Sequence, residues 1–274
     1  MYKTDPINDN QIDICNSCRD SIGNKKLKKK FEANINYICH MTNKYNVKAL
    51  SRKLYELQAN NQMIGSLTKK EMIKMYTIRF SKHGSKARLY YDKIKNISNK
   101  CLYCGIGIVN TIDHFLPKNE YPDFSINKYN LVPSCRDCNT NKNNGIVYSE
   151  ENQYFHPYYE EIENSDWLKV NIKECSSLII EYFIDKNIDK TMYARLNNQF
   201  IKLKLFDLYN VYALNDINEM NYYFKEYYKE QGSEKLSKLF KKISESVSPE
   251  VNLWKHVLYK NLSLNDWFCE NYLR

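Results

Sequence analysis

Apolar residues recur at intervals of three and four along residues 24–96, as at Val47, Leu50, Leu54 and Leu57, and this period predicts helix. Thr68 and Glu71 stand three apart directly before Met72 and Met75, the spacing of a capping box at a helix start. Gly84 in SKHGSK is expected to end that helix, and ARLYYDKI to carry the next. From 101 to 145 the period is lost, and short apolar runs are broken by Gly, Pro and Asn. VNIKEC and SLIIEYFI then predict a β-hairpin, the second strand rich in β-branched and aromatic residues. From about 190 the helical period returns through ARLNNQFIKLKLFDLY, NEMNYYFKEYYKE, KLSKLFKKI and WKHVLY. The expected fold class is mainly α with a small α+β insert. Its segments are a helical region at 1–100, the insert at 101–145, and the hairpin with a second helical region at 146–274. No repeat of fixed period or low-complexity linker interrupts them.

Composition narrows the class. A chain of 274 residues that is 43% hydrophobic and 27% charged can bury a core and is neither disordered nor fibrous. No apolar run approaches the roughly 18 residues of a membrane span, and MYKTDPINDN lacks the apolar stretch of a signal peptide. A cytoplasmic protein without membrane association is therefore expected. The net charge of +9 is uneven: +13 over residues 1–100, −1 over 101–150 and −3 over 151–274. A concentrated positive surface is what a polyanion binder needs. An AT-biased genome also enriches Lys, Asn, Ile and Tyr, but it would spread lysine along the whole chain. The KKLKKK run at 25–30 reads as a solvated face or as a phosphate clamp. The many tyrosines at helical spacing read as core and interface rather than as base-stacking platforms.

Nine cysteines in a reducing compartment point to thiols or metal ligands. Cys101-Leu-Tyr-Cys104 and Cys135-Arg-Asp-Cys138 are two knuckles with 30 residues between them. Four thiolates so paired can close a tetrahedral Zn²⁺ site, structural because no position is left for water. Gly105 follows the first knuckle, where a tight turn wants a residue without Cβ. Cys15 and Cys18 form a third, lone pair whose nearest partners, Cys39 and His40, are adjacent and could not easily both reach one ion. Buried or free thiols are expected there, and Cys175 and Cys269 read as small core residues.

The gap between the knuckles holds Asp113-His114, Pro117-Lys118 and Asn130-Leu-Val-Pro133, with Asn139 and Lys142 after the second knuckle. In this order, TIDHFLPK, YNLVPSC and CNTNK resemble the HNH endonuclease family. The resemblance covers roughly 45 residues and implies a ββα-metal core framed by a four-cysteine zinc site. It implies that Asp113 and Asn139 hold a divalent ion and that His114 removes a proton from water. Asn130 would orient the imidazole by bonding backbone across the loop. Phosphodiester hydrolysis needs an activated water, charge neutralisation at phosphorus and a stabilised leaving oxygen, and these residue types supply them. Strand alternation would send Asp113 and His114 to different sides. The third family position is Asn here where many members have His, and an amide oxygen favours Mg²⁺ or Mn²⁺ over zinc at the catalytic centre.

Arg136 and Lys142 are candidate phosphate contacts, with Lys118 a weaker one. His156-Pro157-Tyr158-Tyr159 resembles a segment of some bacterial HNH proteins, and as a turn with packed aromatics it needs no function. His83 and His256 read as incidental. The resemblance implies an endonuclease acting on DNA, double-stranded in the first instance. By analogy it also implies an anti-phage effector working beside an ATPase partner. The alternatives are an RNA-cleaving effector, a junction-specific nuclease, and a non-catalytic zinc module that binds nucleic acid or protein.

Overall fold

The computed structural model describes residues 3–60, 64–162, 166–173, 178–247 and 252–273. The chain is mostly helical and divides into two compact units, Met1–Glu161 and Ile162–Arg274. The segments 1–100 and 101–145 thus lie in the same unit.

The first unit opens with α1 (Gln11–Asp20), α2 (Lys25–Glu32) and α3 (Ile35–Leu50). The buried face of α3 is Ile35, Ile38, Thr42, Tyr45 and Ala49, the stripe of a helix lying on a core. The apolar period at 47–57 is not one helix face. Val47 and Leu50 are exposed at the end of α3, whereas Leu54 and Leu57 are buried in and beside a 3-10 turn at Leu54–Glu56. Arg52, at φ 59, breaks the helix between the two pairs. A capping box opens α4 (Lys69–Lys74): Glu71 N–H donates to Thr68 Oγ1, and the Glu71 carboxylate accepts the Thr68 N–H. The helix widens into a π-turn at Met75–Phe80 and stops there, four residues before Gly84, which lies in the following loop at φ 77. Helix α5 (Arg88–Lys95) closes the helical part.

Strands β1 (Thr111–His114) and β2 (Leu131–Ser134) follow, then α6 (Arg136–Lys142). The strands pair antiparallel, with Ile112 opposite Pro133 and His114 opposite Leu131. Ile112, Ile126 and Leu131 belong to the same core as Ile14, Phe31, Ile38, Met72, Phe80 and Ile94. The helices are thus the scaffold against which the strands are held. Cys15 and Cys18 are fully buried in this core and Cys39 is half-buried, as expected for packed thiols.

In the second unit, β3 (Leu168–Lys173) pairs antiparallel with β4 (Ile179–Ile184). Leu168, Val170, Ile172, Ile180, Tyr182 and Ile184 face inward, and alternate residues face out. Helices α7 (Lys190–Leu203), α8 (Leu205–Val247) and α9 (Trp254–Leu262) complete the unit, with α8 broken at Gly232. Phe224, Phe240, Tyr259 and Phe268 pack edge-on or tilted at ring separations of 5.0 to 6.2 Å, and Cys269 is buried beside Phe268. Cys175 lies outside the described residues. No helix among the described residues is long and apolar enough to cross a membrane.

Candidate active site

The four sulfurs of Cys101, Cys104, Cys135 and Cys138 lie within 4.8 Å of one another, and all four residues are buried. Cys104 Sγ and Cys135 Sγ are 3.9 Å apart. The edge of a tetrahedron of sulfurs around Zn²⁺ is about 3.8 Å, so the separation fits. Backbone completes each knuckle: Gly107 N–H donates to Cys104 Sγ at 3.3 Å, and Cys138 N–H to Cys135 Sγ at 3.5 Å. Gly105, at φ 71, turns the first knuckle. A Cβ on Gly107 would stand 2.7 Å from Cys135 Cβ and 2.9 Å from its sulfur. Hydrogen bonding among the thiols pushes Cys101 and Cys138 up and Cys104 and Cys135 down. Protons are shared because four bare thiolates would repel, and a cation removes that conflict. The cluster could hold a metal ion. Among the described residues it is the only such group of Cys, His and acidic side chains.

The knuckles set the ends of the ladder. Cys135 caps α6, and Thr111 begins β1 with its hydroxyl bonded to Ser134. Along β1, Thr111 and Asp113 face α6, where Asn139 Nδ2 donates to Thr111 Oγ1 at 3.1 Å. Asp113 is buried; Tyr103 Oη donates to its Oδ2 at 2.7 Å and Lys142 Nζ lies 3.0 Å from the same oxygen. Lys142 also donates to the His114 carbonyl at 2.8 Å. This is a different setting from the phosphate contact expected of it: the ammonium is buried and turned inward to balance a carboxylate.

His114, the next residue of β1, is buried and borders the same cleft as Asp113, so the strand's alternation does not separate the pair as expected. Its ring meets Tyr76, from the π-turn, edge-on at 4.3 Å. Its Nε2 is 2.9 Å from the Ser125 carbonyl. A carbonyl can only accept, so Nε2 carries the proton and Nδ1 keeps a lone pair. Burial, reinforced by Lys118 and Lys142, holds this imidazole down to about 3, so it is neutral at pH 7. Asn130 staples the loop that brings Ser125 there. Its Oδ1 accepts from Leu116 N–H at 2.7 Å, and its Nδ2 donates to the carbonyls of Leu116 and Phe124 at 2.9 and 3.2 Å.

Asp113, His114, Lys118 and Asn139 border one open cleft of about 470 Å³, with Tyr76, Ser81 and Tyr91 on its other wall. Arg136 is exposed on α6 and is not among the lining residues. His156 stands behind the strand. It is 1% exposed, stacked on Phe115 at 4.1 Å, accepts the Tyr158 N–H at Nδ1, and lies 3.0 Å from Tyr45 Oη. Its place is structural, as the packed-aromatic reading had it.

Tyr76, Tyr103 and Ser125 were not visible from sequence. Tyr103 alone carried a signal, since it sits inside the first knuckle, ten residues before Asp113.

Residues 101–145 match the HNH endonuclease family model. The chain carries an HNH endonuclease domain. The HNH domain spans both knuckles, β1, β2 and α6. Protein ea31 of Escherichia phage lambda is 33% identical over 138 residues, 48% of this chain and 47% of that protein. Septu protein PtuB of Bacillus thuringiensis is 42% identical over 50 residues, 16% of this chain and 20% of that protein. The chain therefore spans about half of the first relative and a fifth of the second. No solved structure matches the chain.

Proposed function

We propose that this protein is a metal-dependent endonuclease that hydrolyses phosphodiester bonds of double-stranded DNA. In this reading β1, β2 and α6 are the ββα-metal core, with structural Zn²⁺ held by Cys101, Cys104, Cys135 and Cys138. The observation that carries it is the placement of His114, its Nε2 2.9 Å from the Ser125 carbonyl, in the same cleft as Asp113 and Asn139.

The chemistry follows from that placement. His114 Nδ1 accepts a proton from water as the water oxygen attacks phosphorus and the bond to the leaving oxygen breaks. The Ser125 carbonyl stabilises the imidazolium that forms. Asp113 and Asn139 offer a carboxylate and an amide oxygen, hard donors suited to Mg²⁺ or Mn²⁺, with one carboxylate oxygen already engaged by Tyr103 and Lys142. Such an ion, when bound, supplies charge neutralisation at the phosphate and the leaving oxygen. Asn130 acts at one remove, by fixing the loop that presents the Ser125 carbonyl. Lys118, at the cleft wall, is placed to meet the substrate phosphate.

We place this activity in bacterial anti-phage defence, beside an ATPase partner. The likeness to the defence protein Septu PtuB supports the defence setting, while the ATPase partner rests on family analogy alone; the likeness to a phage lambda protein means that a related segment also occurs in a phage-encoded chain. The test is nicking of supercoiled plasmid in Mg²⁺ or Mn²⁺, with and without the partner. His114→Ala should slow it by about 10² to 10⁴ and leave zinc content unchanged. Equal nicking by both proteins, or by neither under any of these conditions, would overturn the nuclease. Competition by total RNA would move the substrate from DNA to RNA.

A further inference from the structure

The cleft that holds His114 has one wall from outside the HNH domain, and that wall ends in a loop with an unusual division of labour. Residues 72–91 hold five Lys and Arg and no Asp or Glu. The arginines are spent within the fold, on backbone carbonyls and, for Arg88, also on Asp92 at 2.8 Å. Arg79 Nη1 donates to the Ser21 carbonyl at 2.7 Å, and Arg88 donates to the Ser81 carbonyl while its guanidinium lies 4.2 Å over the Tyr91 ring. Ser85 Oγ bonds the Arg79 carbonyl and, at 3.0 Å, Ser21 Oγ, which in turn accepts the Lys86 N–H at 3.2 Å. The loop 81–86 is therefore pinned at both ends.

What it leaves outside is lysine. Lys82 and Lys86 are exposed, and Lys82 makes no ion pair among the described residues. Lys86 is within electrostatic reach of Asp20, whose carboxylate is already bonded to Arg19. Between them Gly84, at φ 77, has no atom within 4 Å of where a Cβ would stand, so backbone is open to approach. Ser81 itself borders the cleft, with Lys118 on the facing wall.

We propose that the loop 81–86 is a phosphate-backbone rim for the nucleic acid entering the cleft. Lys82 and Lys86 contact phosphates beside the one presented to His114. A rigid loop that uses guanidiniums internally and offers ammonium groups outward neutralises phosphates without reading bases. The proposal rests on the nuclease reading for the orientation of the strand, and its test does not need cleavage.

The His114→Ala protein, with zinc, is titrated against a fluorescein-labelled duplex by anisotropy over a range of salt. Each phosphate contact contributes a slope of about −0.9 in log K against log salt. Lys82→Ala with Lys86→Ala should make that slope shallower by roughly 2, and Lys82→Arg with Lys86→Arg should restore it. Lys25→Ala with Lys26→Ala, removing the same charge from α2, should change it less. An unchanged slope, or an equal change from the α2 pair, would overturn the rim. Lysine-dependent binding by a protein that never cleaves would keep the rim and remove the nuclease; cleavage with an unchanged slope would do the reverse.

Discussion

The protein builds two antiparallel strand pairs by opposite means. In β3–β4, inward apolar residues alternate with outward polar ones over six residues, and helices cover the inner face. In β1–β2 only four residues pair, every position but Thr111 is buried, and the buried set includes Asp113, His114 and Ser134. A two-stranded ladder is marginal on its own. The first ladder is stabilised by repetition of one kind of contact. The second depends on many different ones: four sulfurs, a Tyr–Asp–Lys group, an asparagine staple and a histidine on a carbonyl. Alternation tolerates exchange of one apolar residue for another. A polar ladder requires each partner by name, because a buried group left unpaired costs about 1 to 3 kcal/mol.

That contrast can be broken most forcefully at the cysteines. The structural zinc proposed for the four sulfurs would contribute roughly 10 kcal/mol or more to folding. Cys138→Ala should lose the metal, measured by elemental analysis, and abolish hydrogen-exchange protection across 101–145 while leaving that of 168–184 unchanged. Loss in both segments would mean that the ladders are not independently stabilised.

Acid should come next. Burial holds His156 down to about 3 against an ordinary value of 6.5, with Lys142 adding to the effect. Between those values the unfolded chain binds a proton that the folded one refuses. The contribution of His156 is therefore complete above about pH 6.5 and falls as pH drops toward 3, by roughly 3 kcal/mol at pH 4. His114, held down as far by burial, adds a similar loss that His156→Gln leaves in place. Denaturant titrations at pH 7, 5.5 and 4 should show this loss in the wild type and a smaller one in His156→Gln; equal losses would remove His156 as the cause.

Asn130→Ala deletes three bonds and leaves the Leu116 N–H and two carbonyls without it, a destabilisation of about 3 kcal/mol. It should lower plasmid nicking more than stability alone explains, because the Ser125 carbonyl loses its position. Activity unchanged at a temperature where the variant is folded would separate the staple from His114. The smallest effect belongs to the other ladder. Ile180→Val should cost about 1 kcal/mol in thermal melts and leave nicking unaltered; a larger loss would show that β4 is as intolerant as β1.

The same difference explains what the sequence disclosed. The cysteine knuckles, the Asp-His pair and the two asparagines stand out in the sequence by residue type and short spacing, and the structure gathers the four sulfurs and sets Asp113, His114 and Asn139 around one cleft. The strands β3 and β4 are legible from short apolar runs rich in β-branched and aromatic residues. Tyr76 and Ser125 escape because each reaches His114 through the fold, one from a π-turn 38 residues earlier and the other through a backbone carbonyl, which any residue type supplies. Lys142 misleads for the same reason. Its position on α6 suggested a phosphate, while its burial depends on Asp113 across the ladder. The apolar period at 47–57 failed because Arg52, at φ 59, interrupts the helix.

Gly107 carries a genetic consequence. Its φ is not the reason for the glycine: there is simply no room, with Cys135 Cβ where a methyl would reach 2.7 Å. Every glycine codon is one base change from alanine, so a random library screened for lost activity should yield lesions at codon 107 as readily as at the four cysteine codons. A silent-looking position with no chemistry of its own is, for the genome, as exposed as a ligand.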